Sequence, residues 1–186
     1  MDEGQWAAGY KAELLFGPDA VGYTTSAVSG NNNSDFGIKQ AYVELRAPVG
    51  NGLDFQFGVF DEPLGYEVFN NGSNPNYTRS LGWAVEPTQL TGILAGYHFN
   101  DVISAKAGIV NTISARINNR AHYTKSEADK AWVGTIAITA PESAGSLHGS
   151  TLYGGAIYGF SSSTADNQAN YFAGATITTP DRKSVV

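Results

Sequence analysis

The sequence predicts an all-β chain: an antiparallel up-and-down transmembrane β-barrel wall, here a partial barrel of about eight strands. Three observations predict it. Apolar side chains recur at every second position over stretches of roughly ten residues, which is the spacing of one face of a strand. Charges keep to the opposite row. The connections run long, short, long, short, long, medium, long, whereas outer-membrane barrels alternate short turns at one end with longer loops at the other.

The first strand is expected at residues 5–16, where Trp6, Ala8, Tyr10, Ala12, Leu14 and Phe16 form the apolar row and Ala7, Gly9, Lys11, Glu13 and Leu15 the other. Residues 40–47 follow, with Val43 and Leu45 outward. Val49-Gly50-Asn51-Gly52 holds the Asn-Gly pair that suits a tight hairpin. It leads into residues 53–60, with Phe55, Phe57 and Val59 on the apolar row. The fourth strand, 91–99, places Ile93, Ala95, Tyr97 and Phe99 outward, and a short turn at Asn100-Asp101 returns the chain as 102–111, with Ile103, Ala105, Ala107 and Ile109. Residues 131–140 carry Trp132, Ile136 and Ile138; 150–160 carry Leu152, Ala156, Tyr158 and Phe160; 169–178 carry Tyr171, Ala173, Ala175 and Ile177. None of these outward residues is charged. An Arg or Lys facing lipid at mid-membrane costs ~2–4 kcal/mol, so the exclusion suits a hydrocarbon-facing row.

The long connections are 17–36, 61–90, 112–130 and 161–168. Within the second of these, Ser80-Leu81-Gly82-Trp83-Ala84-Val85 has strand-like character. A further crossing there would move every later long loop to the other side of the membrane. Parity therefore assigns the segment to the loop, and part of 61–90 is expected to fold toward the lumen or cap the wall.

Composition agrees with this. Of 186 residues, 15% are charged, against ~25% in soluble proteins, while 22 are Gly and 12% aromatic. No apolar run approaches the ~18 residues of a spanning helix. The net charge of −6, without a basic aromatic stripe, argues against nucleic acid as a partner. With no cysteine there is no thiol nucleophile, disulfide or Cys-based metal site. His98, His122 and His148 lack metal-ligand spacing, and neither a nucleophile elbow nor a phosphate-binding loop is present. No enzymatic activity, metal or cofactor is expected. The N-terminus, Met1-Asp2-Glu3-Gly4, lacks the basic and apolar parts of an export signal.

The polar row nominates the functional residues. Lys11, Glu13, Glu44, Arg46, Asp54, His98 and Lys106 are the candidate pore lining, where charge tunes solute selectivity or cross-strand pairs brace the wall. Their signs nearly balance, so no ion preference follows. Asp61, Glu62, Tyr66, Glu67 and Arg79 lie in or beside the longest loop; with Tyr77 and Trp83 they form either a constriction or a solvated external loop. Arg116, Arg120, His122, Lys125, Glu127 and Asp129 are expected on an outer rim.

The run from Gln40 to Leu53, Gln-Ala-Tyr-Val-Glu-Leu-Arg-Ala-Pro-Val-Gly-Asn-Gly-Leu, continues into Phe57-Gly58-Val59-Phe60 and Gly65-Tyr66-Glu67. With Asn74-Pro75-Asn76-Tyr77-Thr78-Arg79-Ser80, Glu86-Pro87-Thr88, Thr91-Gly92 and Gly149-Ser150-Thr151-Leu152-Tyr153, it resembles the OmpL-like β-barrel porin family of bacterial outer membranes. The resemblance implies a porin for small polar solutes, embedded in outer-membrane lipid, with no catalytic residues to carry over. Members of that family are longer and start with a signal peptide. The chain is therefore expected to be a porin segment, 1–180, of a larger barrel, with 181–186 (Asp-Arg-Lys-Ser-Val-Val) a non-native tail. Self-association is left open. Two other architectures also remain open: a small closed eight-stranded barrel acting as an anchor or adhesin, and a secreted β-sandwich that binds a ligand. A ladder between first and last strands would mark the closed barrel, and a second apolar layer the sandwich.

Overall fold

A computed structural model describes residues 5–17, 36–74, 76–113, 129–161 and 166–178. Eight strands follow one another: β1 (Ala7–Phe16), β2 (Phe36–Ala47), β3 (Leu53–Asp61), β4 (Gln89–His98), β5 (Ile103–Val110), β6 (Ala131–Thr139), β7 (Thr151–Ser161) and β8 (Asp166–Thr176). They form a single antiparallel sheet in the order β1-β2-β3-β4-β5-β6-β7-β8. Every expected strand is present, and the largest boundary difference is β2, which starts at Phe36 instead of residue 40. Residues 81–85 are a turn, not a wall strand. The rim residues 116–127 and the tail 181–186 lie outside the described residues.

The expected apolar row is the exposed one. Trp6 is 74%, Tyr10 86%, Phe16 74% and Tyr171 82% exposed. Ile93, Ile109, Trp132, Ile136, Leu152 and Tyr158 are exposed too, across every part of the sheet. No second layer of the described chain covers this row, which removes the sandwich. Among the described residues β1 pairs only with β2 and β8 only with β7, so the sheet is open and the closed eight-stranded barrel is not formed. Aromatic pairs mark both ends of the sheet. Tyr97 and Phe99 meet edge to face at 4.9 Å near the short turns, and Phe16 and Phe36 lie 5.3 Å apart near the long loops.

The hairpin at 49–52 closes with the Gly52 N–H donating to the Val49 carbonyl at 3.0 Å. Asn51 stitches it to the next hairpin, its Nδ2 donating to the His98 and Phe99 carbonyls at 3.0 and 2.9 Å.

Two residues of the outward row are not exposed: Val59 is 5% and Phe160 9% exposed. The pairing register runs unbroken through both, and Phe60 takes its place in the inner cluster, so both keep the outward phase and only their exposure differs from the rest of the row.

The opposite face is not uniformly polar. Leu90, Leu94, Val110, Val133 and Ile157 are buried in one cluster with Phe60, Leu64 and Ile113, and Tyr42 and Phe172 pack against it. Charges are concentrated on the β1–β3 side and aliphatic residues on the β4–β7 side, apart from His98 of β4 and Lys106 of β5. The register shows this in a single row across the sheet: Glu44 opposes Gln56, Gln56 opposes Leu94, Leu94 opposes Gly108, Gly108 opposes Val133, and Val133 opposes Ile157.

An apolar row facing hydrocarbon makes a specific demand at Ile136, in the middle of β6 and 45% exposed. Ile136→Arg is expected to lower folding stability in lipid vesicles by ~2–4 kcal/mol. Urea titration of vesicle-folded protein measures it, and an unchanged midpoint would mean that the row faces water.

Candidate functional site

The residues between β3 and β4 cross the aliphatic part of the inner face. Leu64, 7% exposed, is the anchor; burying a leucine contributes ~1.5–3 kcal/mol. It fits because β7 has glycine at position 155, where a Cβ would collide with Leu64 Cδ2. At the far end of the loop, Asn170 of β8 donates from Nδ2 to the Val85 carbonyl at 3.0 Å. A segment that leaves β3 thus reaches the last strand. Part of the loop expected to fold toward the lumen or cap the wall packs on the inner face of the sheet.

Within the loop, the sequence pieces singled out above hold one another. Glu67 accepts from the Ser80 N–H at 3.0 Å and from the Ser80 hydroxyl. Arg79 donates to the Val68 and Phe69 carbonyls at 2.5 and 2.6 Å, and its guanidinium sits 4.2 Å above the Trp83 ring. Asn74 bonds the Val68 N–H and carbonyl at 2.8 and 2.7 Å. Arg79 is therefore a brace inside the loop, with its planar fork committed to backbone carbonyls. Tyr66 stays more than half exposed.

Glu62 lies at the root of the loop. Its Oε1 is buried with no hydrogen-bond partner among the described residues. Burial first, and then the charge of Glu86, push its carboxyl up to about 9, so it is protonated at neutral pH. Burial and then Glu67 raise Glu86 as well. Hydrogen bonds from Ser80 hold Glu67 below the usual carboxylate range.

On the wall, the candidate lining residues separate into two groups. Glu44, Asp54, His98 and Lys106 border one recess of about 180 Å³. There Arg46 clamps Asp54 through both carboxylate oxygens at 2.6 Å each, bracing β2 against β3. Lys11 and Glu13 form the second group, 3.3 Å apart on β1. Gln40 joins Glu13 and Asp61, donating to each at 2.8 and 2.9 Å.

The strand pattern alone misses Lys39. Glu13 opposes Gln40 but Leu14 opposes Ile38, so Lys39 is the extra residue of a β-bulge. Strict alternation from Gln40 would put Lys39 on the outward row. Instead its ammonium lies 3.2 Å from Glu13, with the side chain 11% exposed. The only sequence signal was a lysine in an otherwise charge-free phase.

Comparison with known proteins decides the family. The model of the family described as "Putative beta-barrel porin-2, OmpL-like" matches residues 2–179. The chain belongs to this family. No curated protein and no solved structure matches it. Membership accounts for the up-and-down antiparallel sheet with its apolar outward face.

The buried acid at the loop root sets a pH dependence. A protonated Glu62 favours the docked loop fully below the ordinary glutamate value of 4.5, and that contribution is lost as the pH climbs toward about 9. With Trp6 and Trp132 replaced by Phe, Trp83 emission is expected to report loop release between neutral and alkaline pH. Glu62→Gln, neutral throughout, is expected to flatten the curve. An identical curve for the variant would show that another group controls docking.

Proposed function

We propose that the chain forms wall and constriction of a bacterial outer-membrane channel through which small polar solutes diffuse passively, without catalysis or cofactor. A water-filled path lowers the cost of taking a polar solute across hydrocarbon, and the wall has only to provide that path. The observation that supports this most is the loop docked across the inner face by Leu64 and Asn170, because a segment held there would narrow a path beside the charged β1–β3 side of the wall. Solutes would pass between that wall and the loop, past Lys11, Glu13, Glu44, Lys106 and the Arg46–Asp54 pair. The wall charges nearly cancel, so discrimination by size should exceed discrimination by sign. The partners are outer-membrane lipids on the outward face and the solutes themselves.

Both sheet edges must be paired before such a channel can work, since unpaired backbone groups are not tolerated in lipid. Further strands or a second copy would serve. The monomeric chain in detergent is expected to give no stable single-channel steps. Edge-paired assemblies, isolated by size-exclusion chromatography and reconstituted in liposomes, are expected to admit arabinose faster than raffinose. Leu64→Asp, which releases the loop, should reduce that difference. Edge-paired assemblies that admit neither sugar would overturn the channel reading, and discrete conductance from the monomer would overturn the open-edge argument.

A further inference from the structure

A recess of about 470 Å³ lies between the docked loop and β8. It is within the range of small-ligand sites, ~300–1,000 Å³. Its lining mixes carboxyl groups (Glu62, Glu67, Glu86), carboxamides (Asn76, Asn170) and rings, among them Tyr66 and Phe172. No Lys, Arg or His is among the described lining residues. Arg79 lies close by, but it is turned onto the Val68 and Phe69 carbonyls and the Trp83 ring.

We propose that this recess is a binding site for a neutral polyhydroxylated solute, a mono- or disaccharide, at the mouth of the solute path. Vicinal hydroxyls need donors and acceptors side by side. Carboxylates accept, carboxamides do both, and a protonated carboxyl donates. Glu62 is held in that protonated form by its surroundings. The rings offer apolar faces to the C–H side of a sugar. An anion finds no positive partner in the lining. An organic cation is a poorer match than the carboxyl count suggests, because Glu62 is neutral and Ser80 already engages Glu67, leaving Glu86 as the available charge.

The proposal deepens the channel reading and rests on it for the source of the ligand, but binding is measured at equilibrium and needs no flux. Flux can therefore fail while binding succeeds, and the reverse. The chain folded in detergent micelles, with Trp83 as reporter, is titrated with maltose, choline and citrate. Maltose is expected to saturate the signal, and citrate to leave it unchanged. Tyr66→Ala alters an exposed ring and Glu86→Gln is nearly isosteric, so both should fold, as circular dichroism checks. Each should weaken maltose binding about tenfold, a loss equivalent to one good contact. Failure of maltose to saturate, tighter binding of choline than of maltose, or maltose affinity unchanged in both folded variants would overturn the proposal.

Discussion

A ribbon with hydrocarbon on one side and water on the other must keep every charge on one of its two rows. The rest of this molecule depends on that constraint. Alternation supplies it at no extra cost, because a strand already points successive side chains to opposite faces. The apolar outward row from Trp6 to Ile177 runs across all eight strands and, apart from Val59 and Phe160, is exposed or half-exposed. A charge that falls in the wrong phase is met by a bulge or by a polar partner. Lys39 sits in a bulge that brings its ammonium to Glu13. Asp61, at the end of β3, is bonded to Gln40.

The inner face is divided more finely than a simple polar lining. The β1–β3 side bears paired charges; the β4–β7 side bears Leu94, Val110, Val133 and Ile157. Such an aliphatic patch would be poorly placed against open water, and the loop after β3 answers it with Leu64. The loop is thus a consequence of the wall. Gly155 leaves the notch, Leu64 fills it, and Asn170 holds the far end. The pieces that resembled the porin family, Gly65-Tyr66-Glu67 and Asn74 to Ser80, are where the loop bonds to itself.

Strand order, face and the loop status of residues 80–85 were all legible in the sequence, because periodicity and parity are local or countable properties. Four of the seven proposed lining residues meet around one recess. What escaped the pattern depends on pairing register or on contacts distant in sequence. Val59 and Phe160 are buried although they keep the outward phase, because alternation fixes which face a side chain takes and not what covers it. The register slip that turns Lys39 inward appears only once β1 and β2 are paired. The sequence leaves Arg79 in either a constriction or a solvated loop, and two carbonyls and an indole ring claim it.

The central claim is that the outward row touches lipid. Trp132 is on that row and 60% exposed, while Trp83 is in the docked loop. The direct test folds single-tryptophan variants retaining one or the other into vesicles of lipids brominated along their acyl chains. The account requires strong quenching of Trp132 and little of Trp83. Unquenched Trp132 in a correctly folded, vesicle-associated chain would contradict it.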